Sequence, residues 1–95
     1  MGPQDGARIR LDKWLFHARL CKSRALACSV IAAGQVRLNG RPVDKPAVAV
    51  GAGDVLTLRL MQGVRVLRIV DPGHRRGPAV EARSLYEEIP PATGS

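Results

Sequence analysis

Apolar residues recur along this chain with two different periods, and the switch between them marks its elements. Leu11, Leu15 and Ala18 lie at i, i+4 and i+7 with Trp14 beside them, the spacing of one buried helix face. This predicts a first helix over residues 10–20, with Asp12 in its first turn, where a negative charge suits the helix dipole. Leu26, Ala27, Val30 and Ile31 repeat the helical spacing. Ser23 precedes them as an N-cap, its hydroxyl placed to accept from a free amide of the first turn. Gly34 follows as a left-handed stop.

From there the period drops to two. Val36 and Leu38 alternate with Gln35 and Arg37, as in a half-buried strand, and Asn39-Gly40 is a strong hairpin-turn signal because both residues tolerate positive φ. Pro42 and Pro46 exclude a central strand, so a short return strand and an extended loop carrying Lys45 are expected. Val48 and Val50 lead into a turn over residues 51–54. Leu56, Leu58 and Leu60 alternate with Val55, Thr57 and Arg59, predicting a strand over residues 54–61. Residues 62–63 turn the chain into a partner strand over 64–70, and Asp71-Pro72-Gly73 ends it. A basic loop, 74–78, leads to Pro78, which suits the first turn of a last helix over residues 79–88. Residues 1–7 and 89–95 are rich in Gly, Pro and small residues and are expected to be flexible tails around one domain, 8–88. The resulting fold class is α+β: two packed helices against a small, mainly antiparallel sheet of about four strands, with a short C-terminal helix.

Composition limits what such a domain can be. Ninety-five residues with one Trp, one Tyr and one Phe give a modest core built from Leu, Val, Ile and Ala. No apolar run reaches transmembrane length and no signal-peptide pattern is present, so a cytoplasmic protein is expected. Cys21 and Cys28 are too few for a zinc site and are expected as buried free thiols.

Charge changes the picture more. The net charge is +7, which points to a polyanionic partner. Residues 6–53 hold nine Lys/Arg against two acids, whereas residues 54–95 hold six against five. The excess therefore coincides with the two helices and the first hairpin. Lys22 and Arg24 flank the Ser23 cap, where free amides and the dipole already favour an anion. Arg10, Lys13 and His17 share one face of the first helix by spacing. His17 is expected at the solvent, and Trp14 in the core rather than stacked on a base.

No phosphate-binding glycine loop, no HExxH and no paired zinc motif occurs, and no nucleophile lies beside a base. The expectation is a protein without catalytic residues, metal or cofactor. Within the basic loop, Arg75 and Arg76 are expected either as a further phosphate contact or as a solvated turn.

RLDKWL (10–15), KSRALA (22–27), VIAAGQVRLNG (30–40) and VGAGDVLTL (50–58), in that order and spacing, resemble the S4 domain, a small RNA-binding module. RLDKWL and SLYEE (84–88) make the resemblance strongest to its stand-alone, ribosome-associated heat-shock version. The resemblance spans about residues 8–88. It implies the same α+β fold and an RNA-binding surface formed by the two helices and the following hairpin. Carried onto this sequence, the resemblance lands on Arg10, Lys13, Lys22, Ser23 and Arg24 as contacts and on Gly34, Val36, Asn39 and Gly40 as either contacting or purely architectural; with Arg37, Asn39 and Lys45 added to the five contacts, the expected RNA-binding set is complete. It further implies ribosomal RNA of the large subunit as partner, and a stress-response role in rescuing large subunits that hold a nascent chain on transfer RNA. Longer members carry a strongly basic C-terminal tail that has no counterpart after Glu88 here, so RNA binding transfers further than the rescue role. Two other readings fit a small basic domain: a helix-turn-helix DNA reader and a protein-interaction module. Residues 25–33, ALACSVIAA, offer a recognition helix few groups for base edges. A monomer is expected.

Overall fold

The computed structural model describes residues 8–61 and 63–90. The expected tails, 1–7 and all of 89–95 except Ile89 and Pro90, lie outside it, as does Gln62 of the expected 62–63 turn. In order, the elements are β1 (Arg8–Arg10), α1 (Leu11–His17), α2 (Arg24–Ala32), β2 (Val36–Leu38), β3 (Arg41–Val43), β4 (Ala49–Gly51), β5 (Val55–Leu60), β6 (Gly63–Ile69), α3 (Ala79–Ala82), a 3₁₀ turn (Arg83–Leu85) and β7 (Tyr86–Ile89). Five strands form one antiparallel sheet in the order β3-β2-β5-β6-β7, and β1 pairs antiparallel with β4 in a separate ribbon.

Both predicted periods place the core where expected. Leu11, Trp14, Leu15 and Ala18 of the first helical stretch are buried. On the sheet, Val36 opposes Leu58 and Leu56 opposes Leu67. These four side chains are buried with Ile69 on the face that the helices cover. From α2 only Ala27 and Ile31 are fully buried, while Leu26 is left exposed. The helix stop is a Schellman motif: the Gly34 amide, at φ +78°, donates to Ile31 O (3.0 Å) and the Gln35 amide to Val30 O (3.2 Å).

Three expectations need correction. α1 runs from Leu11 to His17, shorter than 10–20, because Arg10 is extended (φ −62°, ψ 140°) as part of β1 and Arg19 turns left-handed (φ 60°). The Arg19 and Leu20 amides cap the helix end on Phe16 O and Leu15 O. Second, the last helix does not reach Glu88. It ends at Ala82, and Tyr86–Ile89 instead adds a fifth strand to the open edge of β6. A ten-residue helix is marginal by itself. The strand gains a ladder, buried Leu85 at its entry, and cross-strand pairs of Glu88 with Arg65 and Glu87 with Arg68. Third, the β1–β4 ribbon was not expected: Arg8–Arg10 overlaps the expected helix start, and Ala49–Gly51 runs into the expected 51–54 turn.

Candidate nucleic-acid interface

The helix starts are assembled by long-range backbone bonds. Leu11 and Asp12, the first residues of α1, donate their amides to Val48 O (2.9 Å) and Pro46 O (3.1 Å). That satisfies donors no intrahelical carbonyl can reach. It also brings the loop carrying exposed Lys45 against the start of α1. α2 starts as its sequence indicates: Ser23 is extended and its Oγ accepts from the Leu26 amide at 3.0 Å. The hydroxyl hydrogen of Ser23 remains a donor.

Between the two starts lies Asp12, whose side chain is 1% exposed. Its Oδ1 accepts from Arg10 Nε (3.1 Å) and the Lys13 amide (2.8 Å). Its Oδ2 accepts from Arg10 Nη2 (3.1 Å), Arg24 Nη2 (3.2 Å) and Cys28 Sγ (3.4 Å). Burial opposes the charge on Asp12, but the bonds from Arg10, Cys28, Arg24 and the Lys13 amide outweigh it and hold its pKa below the usual aspartate value. Burial first, and the bond to Asp12 second, push the Cys28 thiol up, so it is a weak nucleophile. Arg24 and Cys28 lie at i and i+4 on α2 and face the same carboxylate.

Arg10, just before α1, and Arg24, the first residue of α2, are thus brought together while their side chains stay 52% and 45% exposed. Lys13 and Lys22 are also exposed, and neither has an acidic ion-pair partner among the described residues. Not every sequence candidate joins this group. Arg37 alternates with buried Val36 and opposes Pro42 and Thr57, so it projects from the sheet face away from the helices. Asn39, at φ 52°, donates Nδ2 to Asp54 Oδ1 (3.1 Å) and accepts the Val55 amide on Oδ1 (2.9 Å). Its side chain ties the hairpin turn to the start of β5. Gly40 (φ 84°) completes that turn and Val36 is core.

His17 overturns its expected place at the solvent. It is buried, with Nδ1 3.3 Å from Pro72 O. A carbonyl only accepts, so Nδ1 carries the proton. Trp14 is buried as expected, donating Nε1 to Asp71 O at 3.0 Å, and Arg19 donates to Gly77 O. Three side chains of the α1 region thereby clip the 71–77 loop. The expected basic loop is largely spent on the fold: Arg75 pairs with Glu81, and the Arg76 guanidinium lies 4.8 Å from the Phe16 ring centre.

The central role of Asp12 is what sequence reading missed. Its partner Arg10 is two residues away, but Arg24 and Cys28, which make it the link between the helix starts, lie twelve and sixteen residues on in another helix. Among the described residues no group of His, Cys, Asp and Glu could hold a metal, and no helix is long and apolar enough to cross a membrane.

Comparison with known proteins agrees with this architecture. The S4 domain model matches residues 9–56, from β1 through α1, α2 and the first hairpin into β5. Heat shock protein 15 of Escherichia coli K12 is 41% identical over 88 residues, covering 93% of this chain and 65% of that protein. The RQC P-site tRNA stabilizing factor of Halalkalibacterium halodurans is 37% identical over 79 residues, covering 83% of this chain and 88% of that protein. The trimeric structure of Vibrio cholerae heat shock protein 15 superimposes with a TM-score of 0.81 at 38% identity, over 86% of this chain and 82% of that one. The chain spans just under two thirds of the E. coli relative, but it matches the structural relative across most of both lengths. On its sequence, its element order and its fold, the chain belongs to the S4 domain family, in the company of heat shock protein 15.

Proposed function

We propose that this protein binds structured RNA without catalysis, through the face formed by the starts of α1 and α2. One observation carries the reading: two arginines, one preceding α1 and one opening α2, share one buried carboxylate, with Lys13 and Lys22, which have no acidic ion-pair partner among the described residues, beside them and the Ser23-capped helix start between. Arginine forks and helix-start amides both suit phosphate oxygens. An A-form duplex is recognised mostly through its shape, phosphates and 2′-hydroxyls, because its deep, narrow major groove keeps side chains from reading base edges there. Arg10, Lys13, Lys22, Ser23 and Arg24 are the contacts of this face, and Lys45 borders it. Arg37 would meet RNA from the outer side of the hairpin, and Asn39 supports the turn that presents it.

Membership of the S4 family and the names of the relatives support a ribosomal setting in the cytoplasm. Large-subunit RNA is the proposed target, and rescue of subunits carrying a nascent chain on transfer RNA the proposed role. The face is complete within one chain, so a monomer is the proposed active form. A trimer in solution at the concentrations where RNA binds would refute that part, and the trimeric relative makes sedimentation a worthwhile check.

Competition among an RNA stem-loop, duplex DNA of the same sequence and a single strand tests the reading. The stem-loop should win, and affinity should fall with salt at a log–log slope of about −3 to −5 if four to six phosphates are neutralised. Preference for duplex DNA would favour the helix-turn-helix alternative, and a flat salt dependence a protein-interaction module.

A further inference from the structure

An acidic residue in the middle of a polyanion-binding face should weaken binding if charge alone counted, and its removal should help. Asp12 has the geometry for the opposite effect. Its carboxylate is buried and accepts five hydrogen bonds, three of them from guanidinium nitrogens. A buried carboxylate costs free energy unless fully paired, and this one is paired to two side chains whose outer halves face solvent. Arg10 is held through Nε and Nη2, which leaves Nη1 free to donate. Arg24 is held through Nη2 alone, which leaves Nε and Nη1. Arginine's planar fork transmits that constraint to its remaining donors. One anchor thus fixes the separation of two phosphate-seeking groups that the backbone places on different elements, β1 and α2.

We infer that Asp12 is a positioning residue for RNA: it strengthens polyanion binding, against its own charge, by holding Arg10 and Arg24 as a preformed pair. The inference rests on the proposal that the helix face binds RNA. Ordering two rotamer-rich side chains before encounter rather than during it corresponds to about five- to fifty-fold in affinity.

Asp12→Asn keeps the shape, removes the anchor charge and raises the net charge from +7 to +8. Binding of a labelled RNA stem-loop to the full chain should weaken about five- to fifty-fold for this variant, measured well below its unfolding temperature. Unchanged or tighter binding overturns the inference and leaves the helix face standing. The Arg10→Ala/Arg24→Ala double variant tests the face itself. If it binds as the parent does, the face is not the site and the inference falls with it. A folding defect in Asp12→Asn would not hide the answer, because the unsubstituted protein offers a second readout. The Arg10 Nε–H should be ordered on the picosecond–nanosecond timescale in the free protein. A mobile Arg10 Nε–H in the absence of RNA contradicts a preformed pair.

Discussion

Two regions of this molecule use arginine in opposite ways. At the helix starts, Arg10 and Arg24 share one buried carboxylate, and Lys13 and Lys22 stand nearby with no acid of their own among the described residues. On the β6–β7 pair each arginine has its own glutamate: Arg65 meets Glu88 at 2.7 Å, and Arg68 meets Glu87 at 3.0 Å on the other face of the sheet. The Arg65 bond holds Glu88 below the usual carboxylate range. The first region gathers uncompensated positive charge into a fixed shape; the second cancels charge locally and spends it on strand pairing. Counting basic residues would rank the two alike. Their acidic partners separate a surface built to meet an anion from one that has already met its own.

The largest effect expected from this contrast is on binding. Replacing Lys22 and Arg24 by Ala should weaken the RNA stem-loop by about 1–3 kcal/mol. Loss of the Arg24 bond to Asp12 should cost about 1 kcal/mol of stability, read by thermal unfolding. Ser23→Ala should also cost about 1 kcal/mol of stability, here by leaving the Leu26 amide uncapped, with a smaller loss of affinity. Denaturant titration alongside RNA titration separates the two. Acid should destabilise the helix side. Because the native pKa of Asp12 is lowered, its contribution is fully present above the unfolded value near 4 and is lost as pH falls through the native one. Stability measured from about pH 5 down to pH 2 should therefore decline less steeply in Asp12→Asn than in the parent. The smallest effect belongs to the sheet: Arg65→Ala with Arg68→Ala should change stability by less than about 1 kcal/mol, as exposed pairs do, and leave RNA affinity unchanged.

How far the sequence foretold this molecule follows from the range of each interaction. The helix stripe of Leu11, Trp14 and Leu15, the Ser23 cap, the Gly34 stop and the Asn39-Gly40 turn are local, and each stands where its spacing placed it. β7 was hidden because residues 79–88 suit a short helix, and only the free edge of β6 makes a strand the better outcome. His17 was hidden for a similar reason. Its spacing groups it with Arg10 and Lys13, but the carbonyl of Pro72, fifty-five residues on, draws it inward. The cationic cluster was half legible: Lys22-Ser23-Arg24 is contiguous, whereas the carboxylate that unites Arg24 with Arg10 becomes visible only when α1 packs on α2. Arg37 shows the reverse, a basic residue in the right stretch of sequence that β2 alternation turns to the other side of the sheet.

The salt dependence of RNA affinity, measured side by side for the Lys22→Ala/Arg24→Ala and Arg65→Ala/Arg68→Ala proteins, tests the division of labour most directly, since its slope counts the phosphates neutralised. The helix pair should reduce the slope by about one to two and the sheet pair should leave it unaltered. A slope reduced as much by the sheet pair as by the helix pair would place the RNA on the wrong surface and contradict the account.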